Sequence, residues 1–391
     1  MNKAKKMIFP AGVGVAFTWF SSHCGSGFAT GKTFMNYFGK YGWSSLFTPM
    51  IAFLVIGVAT YIMLEFCAGI KADNYKDFAA EFYTPNIKIT RRLFILFWDL
   101  LGVSGAMIGA GATFAAIGEI VSKYLGLPYY VGVCLGVILI LLVTVFGNKV
   151  LVRFASTLCI CLIVLIVTIS IIGIAKGTGD LKAVVGNHVI GEGYTTWQAW
   201  IKPGFVYAAV QMSNVNYLIA LSKEMPDKKN IRIASIGGAV LNVVMMLLLG
   251  TMVLQYFPTL CGESMPVVAA IDMVNMPALT VLYNIMLFFA LVTTGATIVT
   301  NVISRFYVFG SKYVPSASAR KAIIAVILIA CGLSLSSFGF AKVIIGGYNF
   351  LGTLAGPFIL IPILILGPYR LKQQRAKKLV PETIEEAMQN E

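Results

Sequence analysis

The chain has 391 residues, of which 58% are hydrophobic and only 12% are charged, and its formal net charge is +14. A mean hydropathy of +0.84 excludes an ordinary soluble globular domain and is typical of a membrane protein with many spans. The basic residues are spread over several loops, so the positive charge does not indicate nucleic-acid binding. Topology is the better explanation.

Ten hydrophobic stretches are long enough to cross a bilayer, which takes roughly 20 residues. They are centred near Trp19, Leu54, Ile108, Val137, Leu165, Gln211, Met245, Leu291, Leu328 and Leu354. Most lysines and arginines then fall in loops on one side of the membrane. This asymmetry predicts a protein of the cell membrane with both termini in the cytoplasm. It also predicts that anionic lipid contacts the basic loops. Residues 1–7 lack a small-residue cleavage site, so we expect no removable signal peptide.

The first span, residues 7–38, is interrupted by a polar stretch at residues 20–28, FSSHCGSGF. His23 is ionisable and costly at the middle of a membrane. Glycines that weaken a helix alternate with hydroxyls that compete for its hydrogen bonds, at Ser21, Ser22, Gly25, Ser26 and Gly27. Irregular backbone survives at this depth only inside protein or beside an aqueous cavity. We therefore predict two half-helices and a binding site at the joint between them.

The sixth span, residues 203–222, is interrupted in the same way by QMSNVN at residues 211–216. Each half of a ten-span chain thus begins with a broken span. Because five is odd, the second half lies inverted in the membrane relative to the first. We expect one transmembrane domain over residues 1–391, with repeat one at about 7–176, repeat two at about 200–367 and a cytoplasmic tail at 368–391.

Two motifs resemble a known transporter family. GSGFATGK at residues 25–32, followed by Tyr37, Phe38 and Gly42, resembles the first helix of the YkvI-like membrane transporters. LEFCAG at residues 64–69 is similar to the acidic motif in helix two of neurotransmitter:sodium symporters. The whole chain resembles the LeuT fold of the amino acid–polyamine–organocation (APC) superfamily. The resemblance implies an all-α polytopic protein, a 5+5 inverted repeat and transport of a small solute coupled to sodium or protons.

The two interruptions, with the small residues of the third span, define the candidate substrate site. Half-helix N-termini there would present free amides to an anionic group such as a carboxylate. The predicted substrate contacts are Ser22, His23, Gly25, Ser26, Gly27, Ser104, Tyr207, Gln211, Ser213 and Asn214. The third span has no aromatic residue facing the joint, and Tyr207 and Tyr348 are the candidates to supply a phenol.

The resemblance also implies a coupling ion. In this fold, adjacent hydroxyls of helix eight and carbonyls of the helix-one joint form a sodium site. The matching residues are Thr293, Thr294, Ser21 and Cys24, although the two threonines would equally bond carbonyls one turn back. His23 is the rival, because imidazole titrates near physiological pH. Sodium is favoured.

Two acidic residues in the spans have open roles. Glu65 either pairs with a nearby lysine or braces the free amides of the joint, as the resemblance implies. Asp99 is equally suited to structural pairing and to a proton relay.

Three functions compete. A secondary transporter of an amino acid or related amine is favoured, and a metal-ion or other cation carrier of the same fold is the alternative. A membrane enzyme or sensor has no support, because the sequence contains no phosphate loop, HExxH pattern or nucleophile motif. The seven cysteines show no metal-ligand spacing. We expect no cofactor other than a coupling sodium ion, and the oligomeric state is left open.

Overall fold

A computed structural model describes residues 10–83, 87–146, 148–195, 199–213, 216–225, 227–308 and 310–389. Over these ranges the chain is built from helices, with one isolated β-bridge between Gly42 and Ile190. The first half contains α1 Ala11–His23, α2 Ser26–Ala29, α3 Lys32–Tyr37, α4 Thr48–Ile70, α5 Tyr75–Phe82, α6 Lys88–Leu125, α7 Tyr129–Phe146, α8 Asn148–Lys176 and α9 Leu181–Gly186.

The second half contains α10 Lys202–Met212, α11 Asn216–Leu221, α12 Lys228–Leu254, α13 Pro266–Met273, α14 Pro277–Phe306, α15 Ala317–Ser336 and α16 Phe340–Ala376. Helix α12 includes a π-helical turn at Ile233–Gly237, and α16 includes two, at Val343–Gly347 and Gly356–Leu360. The helical backbone of α16 continues to Gln389, so the tail predicted to begin at residue 368 extends the last span.

Six helices of the described chain are long and apolar enough to cross a membrane, namely α4, α6, α12, α14, α15 and α16. The first and sixth predicted spans fall short of that length because their helices end at the interruptions. The apolar parts of α7 and α8 are shorter, at Tyr129–Thr144 and Ile160–Lys176. The all-helical prediction is therefore confirmed, while the total of ten spans stays a prediction.

The first interruption lies where the sequence places it. The amide of Cys24 makes the last bond of α1, to Phe20 O at 2.8 Å. Gly25 then takes an extended conformation, with φ −83° and ψ −167°, before α2 starts at Ser26. Gly31 separates α2 from α3 at φ 80°, a left-handed conformation that glycine adopts without strain.

The second interruption begins at Ser213, directly after α10 ends at Met212. Asn214 and Val215 lie outside the described residues, and the helix resumes at Asn216. Helix α10 packs against α4 and α16, whereas α1 packs against α12. Helix α6 lies between α7, α14 and α15, where its small residues allow close contact.

Two segments that connect long helices contain short helices of their own. Between α4 and α6, α5 starts at a capping box formed by Asn74 and Asp77. Between α12 and α14, residues 255–276 contain α13 and cover the α2–α3 end of the first interrupted span. There Val267 N donates to Thr30 O at 3.0 Å, and Lys32 Nζ donates to Glu263 O at 2.6 Å.

Candidate functional site

Two cavities adjoin the interrupted helices. The larger has a volume of about 710 Å³, runs along α6 and α14, and extends to Tyr75 and Arg305 at the α5 end of the molecule. The smaller has a volume of about 40 Å³ and lies on the α3 side of the first break. Ser22, Gly25 and Tyr348 line both, so the two cavities are adjacent at the joint.

Most of the predicted substrate contacts line one of these cavities. Ser22, Gly25, Ser26 and Ser213 line the larger cavity. The smaller cavity is lined by Ser22, His23, Gly25, Gly27 and Gln211. Asn214 lies outside the described residues. The structure therefore brings both interruptions to one place, as the inverted-repeat interpretation requires.

The structure does not support the prediction that Ser104 contacts the substrate. It lines neither cavity, whereas Gly102, Gly105, Ala106 and Gly109 of α6 line the larger one. Residues four apart share a helix face, so the face of Gly105 and Gly109 is the one turned to the cavity. Position 104 is rotated from that face by about 100°, as follows from 3.6 residues per turn.

The same holds for the prediction that Tyr207 contacts the substrate. Its side chain is fully buried and lines neither cavity; its hydroxyl is hydrogen-bonded to His23 Nε2. Tyr348 is the phenol that lines both cavities, at the end of the π-helical turn Val343–Gly347. Such turns redirect the side chains that follow them and are frequent at functional sites.

Both ring nitrogens of His23 have partners. Nδ1 is 2.5 Å from Asn242 Oδ1, and Asn242 Nδ2 donates to Gly238 O at 2.8 Å. Because the Gly238 carbonyl fixes which end of the amide is nitrogen, Nδ1 of His23 is the donor to Asn242. Nε2 then accepts from the hydroxyl of Tyr207. The neutral imidazole satisfies this network completely, which is the arrangement of a structural histidine.

The four residues predicted to bind a coupling ion, Ser21, Cys24, Thr293 and Thr294, all line the larger cavity. The last four carbonyls of a helix lack partners within it, which leaves those at the end of α1 as candidate oxygen ligands. Thr293 Oγ1 donates its proton to Ala290 O at 3.0 Å, as the alternative interpretation expects. Its oxygen lone pairs are still available to a cation.

Asp99 is paired at the α5 end of the larger cavity. Its Oδ1 accepts from Arg305 and from the hydroxyl of Tyr75. The Arg305 guanidinium also lies over the Tyr75 ring, 4.2 Å from its centroid. This cluster joins α5, α6 and α14, and it agrees with the structural-pairing alternative for Asp99.

Glu65 pairs with basic side chains and, within the described residues, makes no hydrogen bond to the joint, which agrees with the pairing alternative. Its side chain is only 7% exposed, and Oε1 accepts from Arg375 at 2.6 Å and lies 3.1 Å from Lys228 Nζ. The extension of α16 beyond the expected end of the last span brings Arg375 over the end of α4.

At the neighbouring start of α12, hydrogen bonds from Asn230 lower the pKa of exposed Asp227. Asn230 Oδ1 also accepts from Gly12 N of α1 at 3.0 Å, which ties α12 to α1.

Three residues at the site were not predicted from the sequence. Thr33 lines the smaller cavity, Asn242 orients His23, and Arg305 is at the α5 end of the larger cavity. Asn242 was the most detectable, because it is an amide in the middle of an apolar stretch, residues 236–254. The described residues that line the two cavities include no carboxylate, and no group of three or more His, Cys, Asp or Glu in the described chain could hold a metal ion.

No family model matches the chain. The chain is 26% identical over 240 residues to the uncharacterized membrane protein YkvI of Bacillus subtilis (strain 168). That match covers 59% of this chain and 63% of the relative.

Solved structures show the fold. The inward-facing conformation of Mhp1 matches 92% of this chain and 80% of its own length at 15% identity, with a TM-score of 0.62. A Na⁺-coupled sialic acid symporter matches 92% of this chain and 79% of its own, at 14% identity and a TM-score of 0.59. MhsT in complex with L-phenylalanine matches 96% of this chain and 99% of its own length, at 13% identity and a TM-score of 0.58.

A manganese transporter of Eremococcus coleocola matches 95% of this chain and 80% of its own length, at 14% identity and a lower TM-score of 0.54. All four similar structures are transporters, with different cargoes. The chain therefore has the fold of the LeuT-type membrane transporters.

Proposed function

We propose that the protein is a secondary active transporter that moves a small polar solute by alternating access. The observation that supports this most is the meeting of the two interrupted helices at adjoining cavities. The larger cavity extends to the α5 end of the molecule. Residues 255–276 cover the opposite end, where they are hydrogen-bonded to Thr30 and Lys32. This is the asymmetry expected of a transporter open to one side.

Chemistry within the cavities bears on the solute. Arg305 is the one charged residue among the described residues that line them, and it is paired with Asp99. An organic cation bound there would have no carboxylate to accept hydrogen bonds from its ammonium group, which makes its desolvation costly. A zwitterion brings both charges with it. We therefore favour an amino acid over a simple amine, in keeping with the resemblance to the amino acid–polyamine–organocation superfamily.

Sodium is the proposed coupling ion. It prefers hard oxygen ligands, and the larger cavity offers the hydroxyls of Thr293 and Thr294 beside the end of α1. The proton alternative requires His23 to take a second proton. Because Nε2 already accepts from Tyr207, that step would force the hydroxyl of Tyr207 to reorient inside the core.

A carrier of metal ions is the second candidate, and the likeness to a manganese transporter is the observation in its favour. Against it, the cavities of the described chain lack the carboxylates that a divalent ion prefers. Met212 is near the second interruption but does not line either cavity.

The remaining proposals concern placement. We propose one transmembrane domain with two inverted repeats, both termini in the cytoplasm and anionic lipid against the basic loops. Membership of the YkvI-like group is proposed on the partial match and on GSGFATGK at residues 25–32.

The test is uptake into proteoliposomes that contain the purified full-length protein. Labelled amino acids, amines and manganese are offered with an inward sodium gradient and without it, at fixed pH. Concentrative uptake of an amino acid under the gradient supports the proposal. Uptake of manganese alone would replace it with the metal carrier.

A further inference from the structure

The smaller cavity is distinct from the larger one in its walls and in its polarity. Its walls come from the first interruption and α2, with Thr33 of α3, Gln211 of α10 and Tyr348 of α16, whereas the larger cavity takes its walls mainly from α6 and α14. Tyr348 stands at the boundary, since it lines both. A solute in the larger cavity can therefore extend one end past the joint into the smaller one.

Among the described residues that line the smaller cavity, Thr33 has a buried hydroxyl that is left for a ligand. Thr33 is 2% exposed, and its Oγ1 has no hydrogen-bond partner in the described structure. A buried polar group left unpaired costs about 1–3 kcal/mol. The backbone holds it there: a Cβ on Gly27 would lie 2.2 Å from Thr33 Oγ1, so only glycine leaves room for the hydroxyl.

The smaller cavity presents no net charge. The described residues that line it include no Asp, Glu, Lys or Arg, and both nitrogens of His23 are already engaged. The polar groups left to a ligand are uncharged, at Thr33, Gln211 and Tyr348. An ion placed here would lack a counter-charge, so the cavity favours an uncharged group that hydrogen-bonds.

The size of the smaller cavity fits one such group. At about 40 Å³ it has room for roughly three waters, since one water needs about 10–15 Å³ on this measure. A hydroxyl or carboxamide end of a solute would replace those waters and pair the Thr33 hydroxyl. The charged end of the solute would stay in the larger cavity.

We propose that the smaller cavity is a specificity subsite that takes an uncharged hydroxyl or carboxamide end of the transported solute, with Thr33 as a residue that selects it. This deepens the proposed function and rests on it. Removing the Thr33 hydroxyl is expected to leave folding intact, because it takes away an unpaired buried polar group and breaks no hydrogen bond.

The first test needs no knowledge of the solute. Thr33→Cys protein is treated with hydroxyethyl and with aminoethyl methanethiosulfonate, which have nearly the same size and differ in charge. Intact-mass measurements count the adducts beyond those on wild-type protein. Two variants serve as controls: Thr297→Cys in the larger cavity should react with both reagents, and Thr60→Cys, a fully buried threonine outside both cavities, with neither.

We expect Thr33→Cys to react at least tenfold faster with the hydroxyethyl reagent than with the aminoethyl reagent, relative to the same ratio at Thr297→Cys. Equal relative rates would show that the cavity does not select against charge and would overturn the proposal. So would a lack of reaction with either reagent, since the cavity would then be closed to solutes.

The second test uses L-threonine and L-valine, which differ by a hydroxyl in place of a methyl group. Wild-type protein should bind L-threonine roughly tenfold more tightly, the value of one good hydrogen bond. Thr33→Val should lose that preference, and Thr60→Val should keep it. Equal binding of both by wild-type protein contradicts the subsite. If neither binds, the amino-acid assignment fails, while the labelling result still decides on the subsite.

Discussion

Gly25 and Gly27 are two residues apart at the first interruption, yet the structure assigns them different reasons to be glycine. A Cβ on Gly27 would lie 2.2 Å from Thr33 Oγ1 and 3.3 Å from Ile344 Cδ1. A Cβ on Gly25 would meet nothing within 4 Å, and the backbone there has an ordinary negative φ of −83°. Gly27 is therefore required by packing, whereas Gly25 leaves cavity space open.

The consequences can be separated by measuring stability and transport together. Gly27→Ala forces a buried contact to shift, and overpacking of this kind costs about 1–3 kcal/mol. Gly25→Ala should change the free energy of unfolding by less than about 0.5 kcal/mol, as a substitution without new contacts does. Gly25→Leu should keep the fold and block transport, because its side chain enters the cavity that the solute occupies.

Thermal unfolding of the detergent-purified variants, with uptake into proteoliposomes, checks both statements. Gly14→Ala is the matched control, since Gly14 is in α1 with nothing near its Cβ. It should be neutral or stabilising by up to about 1 kcal/mol, because alanine favours a helix interior over glycine. Wild-type uptake by Gly25→Leu would refute the idea that the solute passes the first interruption.

Three further predictions concern polar side chains of α1, α4 and α6. Glu65→Ala should destabilise the protein by about 1–2 kcal/mol more than Glu65→Gln does, because alanine removes the buried acceptor of Arg375 and Lys228 and glutamine keeps it. The difference stays small because both basic partners are half exposed and can be solvated. Equal melting temperatures of the two variants would contradict this. His23→Gln should destabilise by about 1–3 kcal/mol, since the donor and acceptor of the glutamine amide do not lie where the two ring nitrogens lie, yet leave uptake sodium-dependent. Asp99→Asn should retain the hydrogen bond from Tyr75 and weaken the ion pair with Arg305, so a stability loss that shrinks at high salt is expected in unfolding experiments.

The fold could be predicted from the sequence because its signals are local. Long apolar runs identify spans whatever their neighbours are, and clustered glycines and hydroxyls at residues 21–27 identify an interruption. The break found between His23 and Ser26 follows from those residues alone. The short helix α5 was not predicted, although the capping box of Asn74 and Asp77 at its start can be recognised in the sequence.

The site was only partly predictable, because its geometry depends on which face of each helix turns inward. Ser104 was predicted without a periodic pattern to show which face of the third span turns inward, since α6 is rich in small residues on several faces. The partner of Glu65 comes from residue 375, more than 300 positions away along the chain. A resemblance in one short motif could not indicate that contact, which depends on how far α16 continues.

The most direct test of the central claim, sodium-coupled transport through this site, is the sodium dependence of uptake in Thr294→Ala protein. Proteoliposomes are given an imposed sodium gradient at fixed pH, and the solute found with wild-type protein is followed. Thr353→Ala is the matched control, as Thr353 is an exposed threonine of α16 outside both cavities. We predict that Thr294→Ala raises the sodium concentration for half-maximal uptake about tenfold, as the loss of one ligand oxygen near 1.4 kcal/mol implies, while the control does not. Full concentrative uptake by wild-type protein in sodium-free buffer, driven by a pH gradient, would contradict the account.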